Sequence, residues 1–387
     1  MATVIYAELL FNIRQVTVAV SLPSPRDATT AAKIVDEGRR LCLDHDGQSG
    51  SLDLPAAVGF DASLGLSEGR LTELVWRLGV ANALPRVLDT CAVPWSALHL
   101  KAASPVLCKT CRSCLVPPNV VASWKDLPSD NWAEMMEFWH CHKPVNTQSE
   151  SGHSALANRG YGANATMGAQ TGVGLVGTSS FVFAESDCCK LLFACSPIEP
   201  RFKASALARD EARATTELLV FCAKCGSQVG SDSSGRPGVT LFKWQVMCEA
   251  TPPGRAPSGP ECLAATMLTA MACSGYAKFT IVPCATHDEP DTDALFIWVL
   301  NPHVVYTSTA VQGSRGAVKV FYQDISLARG HRLVEPVTSD VQEISLPAES
   351  IDTVRQALVF SNKLLPERER QFKDWTTALL PRWSAEA

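Results

Sequence analysis

Residues Val106 to Val116 read V-L-C-K-T-C-R-S-C-L-V, and a matching turn, V-F-C-A-K-C-G, lies at Val220 to Gly226. One Cys-x2-Cys turn offers two thiolates to an ion, and two such turns supply the four ligands of a closed tetrahedral zinc site. Cys108, Cys111 and Cys114 are each three apart, so the first turn contains two candidate pairs. After Cys111 the chain runs through two polar residues into Cys-Leu-Val, which parallels the Gly-Ser-Gln-Val-Gly after Cys225, whereas Leu-Val-Pro-Pro comes after Cys114. The comparison selects Cys108, Cys111, Cys222 and Cys225 as ligands of a structural Zn2+ and sets Cys114 along the following strand. Replacement of Cys108 by Cys114 remains an alternative. A metal gripped at positions as distant as 111 and 222 would clip a long loop and fix two halves of the chain together.

Working outward, Asp126 to Pro144 read D-L-P-S-D-N-W-A-E-M-M-E-F-W-H-C-H-K-P. Ser129 or Asp130 can cap a helix, and Glu134 sits where the positive end of the helix dipole favours an anion. Trp132, Met135, Met136 and Trp139 fall at i, i+3, i+4 and i+7, so the spacing predicts a helix with one wholly apolar face, which core packing explains more simply than a docking groove. Pro144 stops it and leaves His140, Cys141 and His142 at its last turn. Cys141 and His142 are also of ligand type and form an alternative set with one of the two cysteine turns.

The chain has 387 residues, 46% hydrophobic and 19% charged, with a net charge of -5. That composition supports two or three globular cores and contains no basic run to bind a polyanion, so nucleic acid is not an expected partner. The longest apolar stretch, Cys262 to Cys273, is interrupted by Thr266 and Thr269 and is too short to span a bilayer. The N-terminal M-A-T-V-I-Y-A-E-L-L lacks a basic leader and contains Glu8, so it reads as a strand and the expected compartment is cytoplasmic or nuclear. There the 15 cysteines are reduced, and isolated ones such as Cys42, Cys91, Cys248, Cys262, Cys273 and Cys284 read as buried thiols.

The expected fold class is α+β: a mostly antiparallel β N-terminal part and an α+β C-terminal part, joined through the Cys-x2-Cys pair. Residues 1–105 form the β-rich domain, with strands at Val4–Leu10, Val16–Leu22, Leu52–Val58 and Ala97–Leu100 and a helix at Leu71–Leu78. Residues 106–145 carry the turn and the W-H-C-H cluster. Residues 146–177, rich in Ser, Ala and Gly, read as a flexible insertion. The G-x-G-x-x-G at Gly172, Gly174 and Gly177 is not a nucleotide loop, because a strand at Phe181 comes next where a helix is required. Residues 178–387 form the C-terminal domain. Its expected strands are Val239–Met247, Lys278–Val282, Leu295–Leu300, His303–Thr307 and Ala317–Tyr322. Its expected helices lie around Leu263–Met271, Ile351–Leu358 and Phe372–Leu379. No G-x-S-x-G elbow, Walker A loop or H-E-x-x-H pair is present, and no Ser-His-Asp triad can be assembled.

The D-L-P-S-D-N-W to W-H-C-H-K-P block closely resembles the E2-binding, HECT-like E3 ubiquitin-protein ligase family. The paired turns C-K-T-C and C-A-K-C, L-F-I-W-V-L-N at Leu295–Asn301 and G-A-V-K-V-F-Y-Q at Gly316–Gln323 extend the resemblance from about Cys108 onward, with a weaker N-terminal match. It implies an intracellular E3 ligase that binds a ubiquitin-charged E2 and promotes ubiquitin transfer to protein substrates, cyclin-type ones among them. One departure bears on mechanism. HECT ligases carry a catalytic cysteine near the C-terminus, whereas this chain ends at Ala387 with no thiol after Cys284.

The candidate catalytic residues are therefore Cys141 and His142. His140, His142 or Lys143 can supply the positive charge that lowers a thiol pKa, although a helix C-terminus opposes ionisation. The competing roles for Cys141 are metal binding and packing.

Overall fold

The structure is a computed structural model that describes residues 3–59, 64–65, 72–81, 93–127, 169–195, 218–232, 238–250, 255–284, 293–336 and 339–384. It is mostly antiparallel β, with three α-helices among the described residues, and belongs to the α+β class. Two compact units divide the chain: Met1–Ala92 with Tyr276–Cys284 and Glu289–Ser384, and Val93–Gly275 with two short pieces. The sequence reading instead ended the first domain at 105 and kept 178–387 together. The boundary moves because strands from the two ends of the chain hydrogen-bond to one another, a long-range pairing that local patterns do not encode.

Unit 1 begins with the hairpin β1 (Val4–Leu10) and β2 (Gln15–Ser21), each with five consecutive buried residues. β3 (Ala31–Val35), β4 (Arg40–His45) and β5 (Gln48–Asp53) form a separate three-stranded antiparallel sheet. Ile5, Val18, Ile34, Leu41, Leu43 and Leu74 fill the core shared by these strands. The helix expected at Leu71–Leu78 is a strand, β6 (Glu73–Gly79), which pairs antiparallel with β2 in the register Val18↔Trp76. Leu74 and Trp76 are buried and Val75 less so, an alternation of period two; the i, i+3, i+4 pattern arose from too short a run to separate strand from helix.

Unit 2 opens with a 3₁₀ turn at Ala97–His99, where a strand was expected. β7 (Val106–Cys108) and β8 (Cys114–Val116) come next, then β9 (Ser123–Asp126), β10 (Val173–Val176), β11 (Ser180–Phe183) and β12 (Leu191–Ala194). β10 lies inside the stretch expected to be a flexible insertion; residues 146–168 of that stretch, and the helix expected over 129–142, lie outside the described residues. Gly174, in β10, pairs with Trp124, and a Cβ there would meet the indole at 2.4 Å, so this glycine admits an aromatic ring rather than a phosphate.

β13 (Leu218–Cys222), β14 (Gln228–Asp232) and β15 (Val239–Phe242) complete a seven-stranded sheet in the order β12-β13-β14-β15-β11-β10-β9. The continuous strand expected at Val239–Met247 is broken by a 3₁₀ turn at Lys243–Gln245, so that β16 (Val246–Met247) joins β7 and β8 in a second sheet. Lys243 is fully buried at this crossing and donates from Nζ to the carbonyls of Pro94 (2.5 Å), Thr178 (3.3 Å) and Trp95 (3.4 Å). Burial lowers its pKa to about 8, against the opposing charges of Cys262, Asp126 and Cys248. The expected helix around Leu263 is α1 (Gly259–Ser274), opened by a Ser258–Glu261 capping box and closed by Gly275 at φ 75°. Of the thiols expected to be buried, Cys262 is fully so, whereas Cys42, Cys248, Cys273 and Cys284 are partly exposed and Cys91 lies outside the described residues.

The chain then returns to unit 1 through β17 (Lys278–Pro283), β18 (Asp293–Ser308) and β19 (Val311–Ser326). The two short strands expected at Leu295–Leu300 and His303–Thr307 are one strand whose register shifts on both sides of Asn301. The last elements are α2 (Leu327–Val334), β20 (Val341–Leu346), α3 (Ala348–Asn362), β21 (Gln371–Phe372) and β22 (Trp375–Pro381). The second C-terminal helix, expected over Phe372–Leu379, is thus a pair of strands. Thr376 and Thr377 favour the extended chain, and a continuous buried run at the end of β22 reads alike in either conformation. β22 pairs with β19, and β18 pairs with β1 in the register Tyr6↔Ser308, giving the order β21-β22-β19-β18-β1-β2-β6. Among the described residues no helix is long and apolar enough to cross a membrane.

Candidate metal centre

Both cysteine turns belong to unit 2, so their meeting ties its two sheets to each other and does not join the N-terminal part to the C-terminal part. The first turn links β7 to β8 and the second links β13 to β14. They are built alike. The Cys108 amide donates to Ser113 O (2.8 Å) and the Arg112 amide to Cys108 O (2.9 Å); the Cys222 amide donates to Ser227 O (2.9 Å) and the Gly226 amide to Cys222 O (2.8 Å). Closing each loop requires a left-handed residue after the second cysteine, supplied by Gly226 at φ 74° and, against its steric preference, by Arg112 at φ 59°.

The four sulfurs converge. Cys108 Sγ lies 3.7 Å from Cys225 Sγ and Cys111 Sγ lies 3.6 Å from Cys222 Sγ, and all four ligand atoms are within 4.8 Å of one another. A tetrahedron with metal–sulfur bonds of about 2.3 Å has sulfur–sulfur edges of about 3.8 Å, whereas a disulfide would require about 2.05 Å. The thiols are free and already spaced for one ion.

The electrostatics also fit a cation. Burial pushes the Cys108 thiol up to about 12, although the amides of Cys111 and Thr110 point at it and favour the thiolate. Burial likewise raises Cys222 against the amides of Cys225 and Lys224. At the exposed Cys225 the upward push of burial is outweighed by the hydroxyl and amide of Ser227 and by its thiol neighbours, which bring it down to about 6. A group of four sulfurs that shares backbone donors and holds one readily ionised member lacks only the positive charge that would let the others ionise.

Cys114 stays outside this group, with its thiol on Val116 O (3.3 Å) and the Cys189 thiol on Cys114 O (3.2 Å). Cys141 and His142 lie outside the described residues. The sequence did not single out the hydroxyls beside the centre: Ser227 Oγ is 3.4 Å from Cys225 Sγ and 3.2 Å from Thr110 Oγ1, bridging the two turns. Lys109 also escaped notice, though its amide and Nζ bond Gln245 O (3.0 Å) and Trp244 O (3.1 Å), seating the first turn on the 3₁₀ crossing.

The fold and the four-cysteine centre define a β-rich protein clipped at one point by a potential metal site. The family of HECT-like ubiquitin-conjugating enzyme (E2)-binding proteins matches residues 8–377, and the chain belongs to it. The match thus reaches into the N-terminal strands, where the resemblance read from the sequence was weaker. An uncharacterized protein of Saccharomyces cerevisiae, YJR141W, is 21% identical over 317 residues, covering 80% of each chain. An uncharacterized protein of Schizosaccharomyces pombe, C1734.10c, is 45% identical over 58 residues, which cover 14% of this chain and 17% of that one. No solved structure matches.

Proposed function

We propose that the protein is an E3 ubiquitin-protein ligase that binds a ubiquitin-charged E2 and promotes ubiquitin transfer to protein substrates, with Zn2+ at Cys108, Cys111, Cys222 and Cys225 as a structural ion. The family match over residues 8–377 carries the first part of this reading. A four-sulfur, closed tetrahedral site without an open position carries the second, since such sites select zinc and leave no room for substrate. The zinc therefore holds the fold and takes no part in transfer.

The transfer step has two forms. In one, Cys141 attacks the E2–ubiquitin thioester as thiolate, the E2 thiolate leaves, and ubiquitin rests on Cys141 until a substrate amine takes it, with His142 accepting the thiol proton. In the other the protein is a zinc-stapled adaptor that binds the E2 without accelerating discharge, a form favoured by the absence of any thiol after Cys284. Single-turnover discharge of an E2–ubiquitin thioester separates them. Ligase activity predicts faster decay with the protein present, and Cys141→Ser should abolish it while zinc content and thermal unfolding stay unchanged. Equal decay with and without the protein leaves the adaptor; a fully active Cys141→Ser variant removes the covalent step.

A further inference from the structure

The nine-stranded sheet of unit 1 is closed on one face by the β3–β5 sheet. On the other face α2 covers one end, and Leu364 and Leu365, packed on Tyr6, Val304 and Tyr306, cover the other. Between these covers the sheet remains open as a groove of about 520 Å³. Six large apolar side chains are exposed among the described residues, and three of them, Ile13 (58% exposed), Leu300 (39%) and Phe372 (53%), line this one groove. Apolar exposure concentrated in this way marks an interaction surface more than scattered surface residues do.

The groove has a rigid wall and a charged rim. Phe372 stacks on Phe321 with centroids 5.5 Å apart and planes 3° apart, and Phe321 is backed by Trp375 at 6.1 Å and Trp298 at 6.0 Å, all borne on strands. Its acidic groups are already engaged. Glu8, buried in the floor, accepts from Tyr6 OH (2.9 Å) and Lys319 Nζ (3.0 Å), and Lys319 also reaches Glu369 at 3.4 Å. The remaining cations look outward. Arg77 is exposed with no ion pair among the described residues, Arg368 is 3.8 Å from Glu369, and Lys373 lies 5.6 Å from the Phe372 ring.

We infer that this groove is where the E2 docks, an assignment that rests on the reading of the protein as an E2 binder. The E2 would seat one or two apolar side chains against Ile13, Leu300 and Phe372 and place neighbouring carboxylates on Arg77 and Arg368. A second copy of this chain fits less well, because a two-fold contact would set the same basic rim against itself. The aromatic wall and the partner's inserted side chain form the desolvated centre in which binding energy concentrates, and the arginines steer the encounter.

Binding of the full-length protein to a panel of purified E2 enzymes, measured by biolayer interferometry, tests the assignment. Phe372→Asp and Ile13→Asp should each weaken binding at least tenfold, and Arg77→Glu should slow association and flatten its salt dependence. Leu98→Asp, at a 91% exposed residue outside the groove, should bind as wild type, with melting temperature and metal content confirming that every variant is folded. If an E2 binds wild type and both groove variants equally, the assignment is wrong while the E2-binding reading stands. If no E2 binds wild type, both fall. A wild-type dimer in sedimentation that Phe372→Asp dissociates would give the groove to a second copy and overturn the proposal.

Discussion

Glu261 shows how one side chain can serve a helix end and an ion pair together. It closes the capping box with Ser258 and receives Arg255, whose Nη1 lies 2.7 Å away. Burial pushes its pKa up, but Arg255 and the amide and hydroxyl of Ser258 outweigh it and hold the carboxyl below its usual range. A depressed folded pKa means that the stabilisation is fully present above the unfolded value, about 4.3, and is lost as pH falls through the folded value. Glu261→Gln should therefore cost about 1–2 kcal/mol at pH 7. The gap between variant and wild type in urea denaturation should close below about pH 4; a gap that stays constant with pH would show that the charge is irrelevant. At this scale the sequence was most readable. Each Cys-x2-Cys turn folds from contacts within six residues, so the residues next along the chain were enough to separate Cys111 from Cys114, and α1 announced itself through Ser258, Pro260 and Glu261.

Between elements, packing decides what local pattern leaves ambiguous. Leu74 and Leu379 sit in runs whose spacing fits a helix, yet both lie in strands because β2 and β19 offer open edges and a helix there would leave those edges unpaired. No property of residues 71–78 or 372–379 taken alone contains that information. The same level holds the sharpest steric constraint in unit 2. A Cβ on Gly230, in β14, would lie 1.9 Å from the carbonyl oxygen of Thr240 in β15. Gly230→Ala must push the two strands apart, and because β14 leads directly from the second cysteine turn the centre should loosen with it. We expect a loss of about 1–3 kcal/mol together with faster metal release to a chromophoric chelator. Gly50→Ala, where the nearest atom is Ile5 Cδ1 at 3.6 Å, should stay within about 0.5 kcal/mol of wild type. Equal effects at the two positions would refute the steric account.

For the whole molecule, the cysteine centre and the long sheet belong to different units, so they should respond to different perturbations. An ion held at 1,000 times its Kd contributes about 4 kcal/mol to the state that binds it. Chelation, or Cys222→Ser, should therefore lower the calorimetric transition of unit 2 by about 10 °C or more while that of unit 1 stays in place. Purified protein should carry one zinc per chain, and Cys114→Ser should retain it. Protein without metal, or a single transition shifted as a whole, would count against the separation. Unit 1 also has a consequence for synthesis. Its middle strand β1 is among the first segments to leave the ribosome, yet the partner β18 is made some 300 residues later, as the Ile5–Thr309 hydrogen bond with its separation of 304 positions shows. Unit 2, encoded between them, can fold during translation. The N-terminal hairpin meanwhile waits with an unpaired, strongly apolar edge, the kind of nascent segment that chaperones guard.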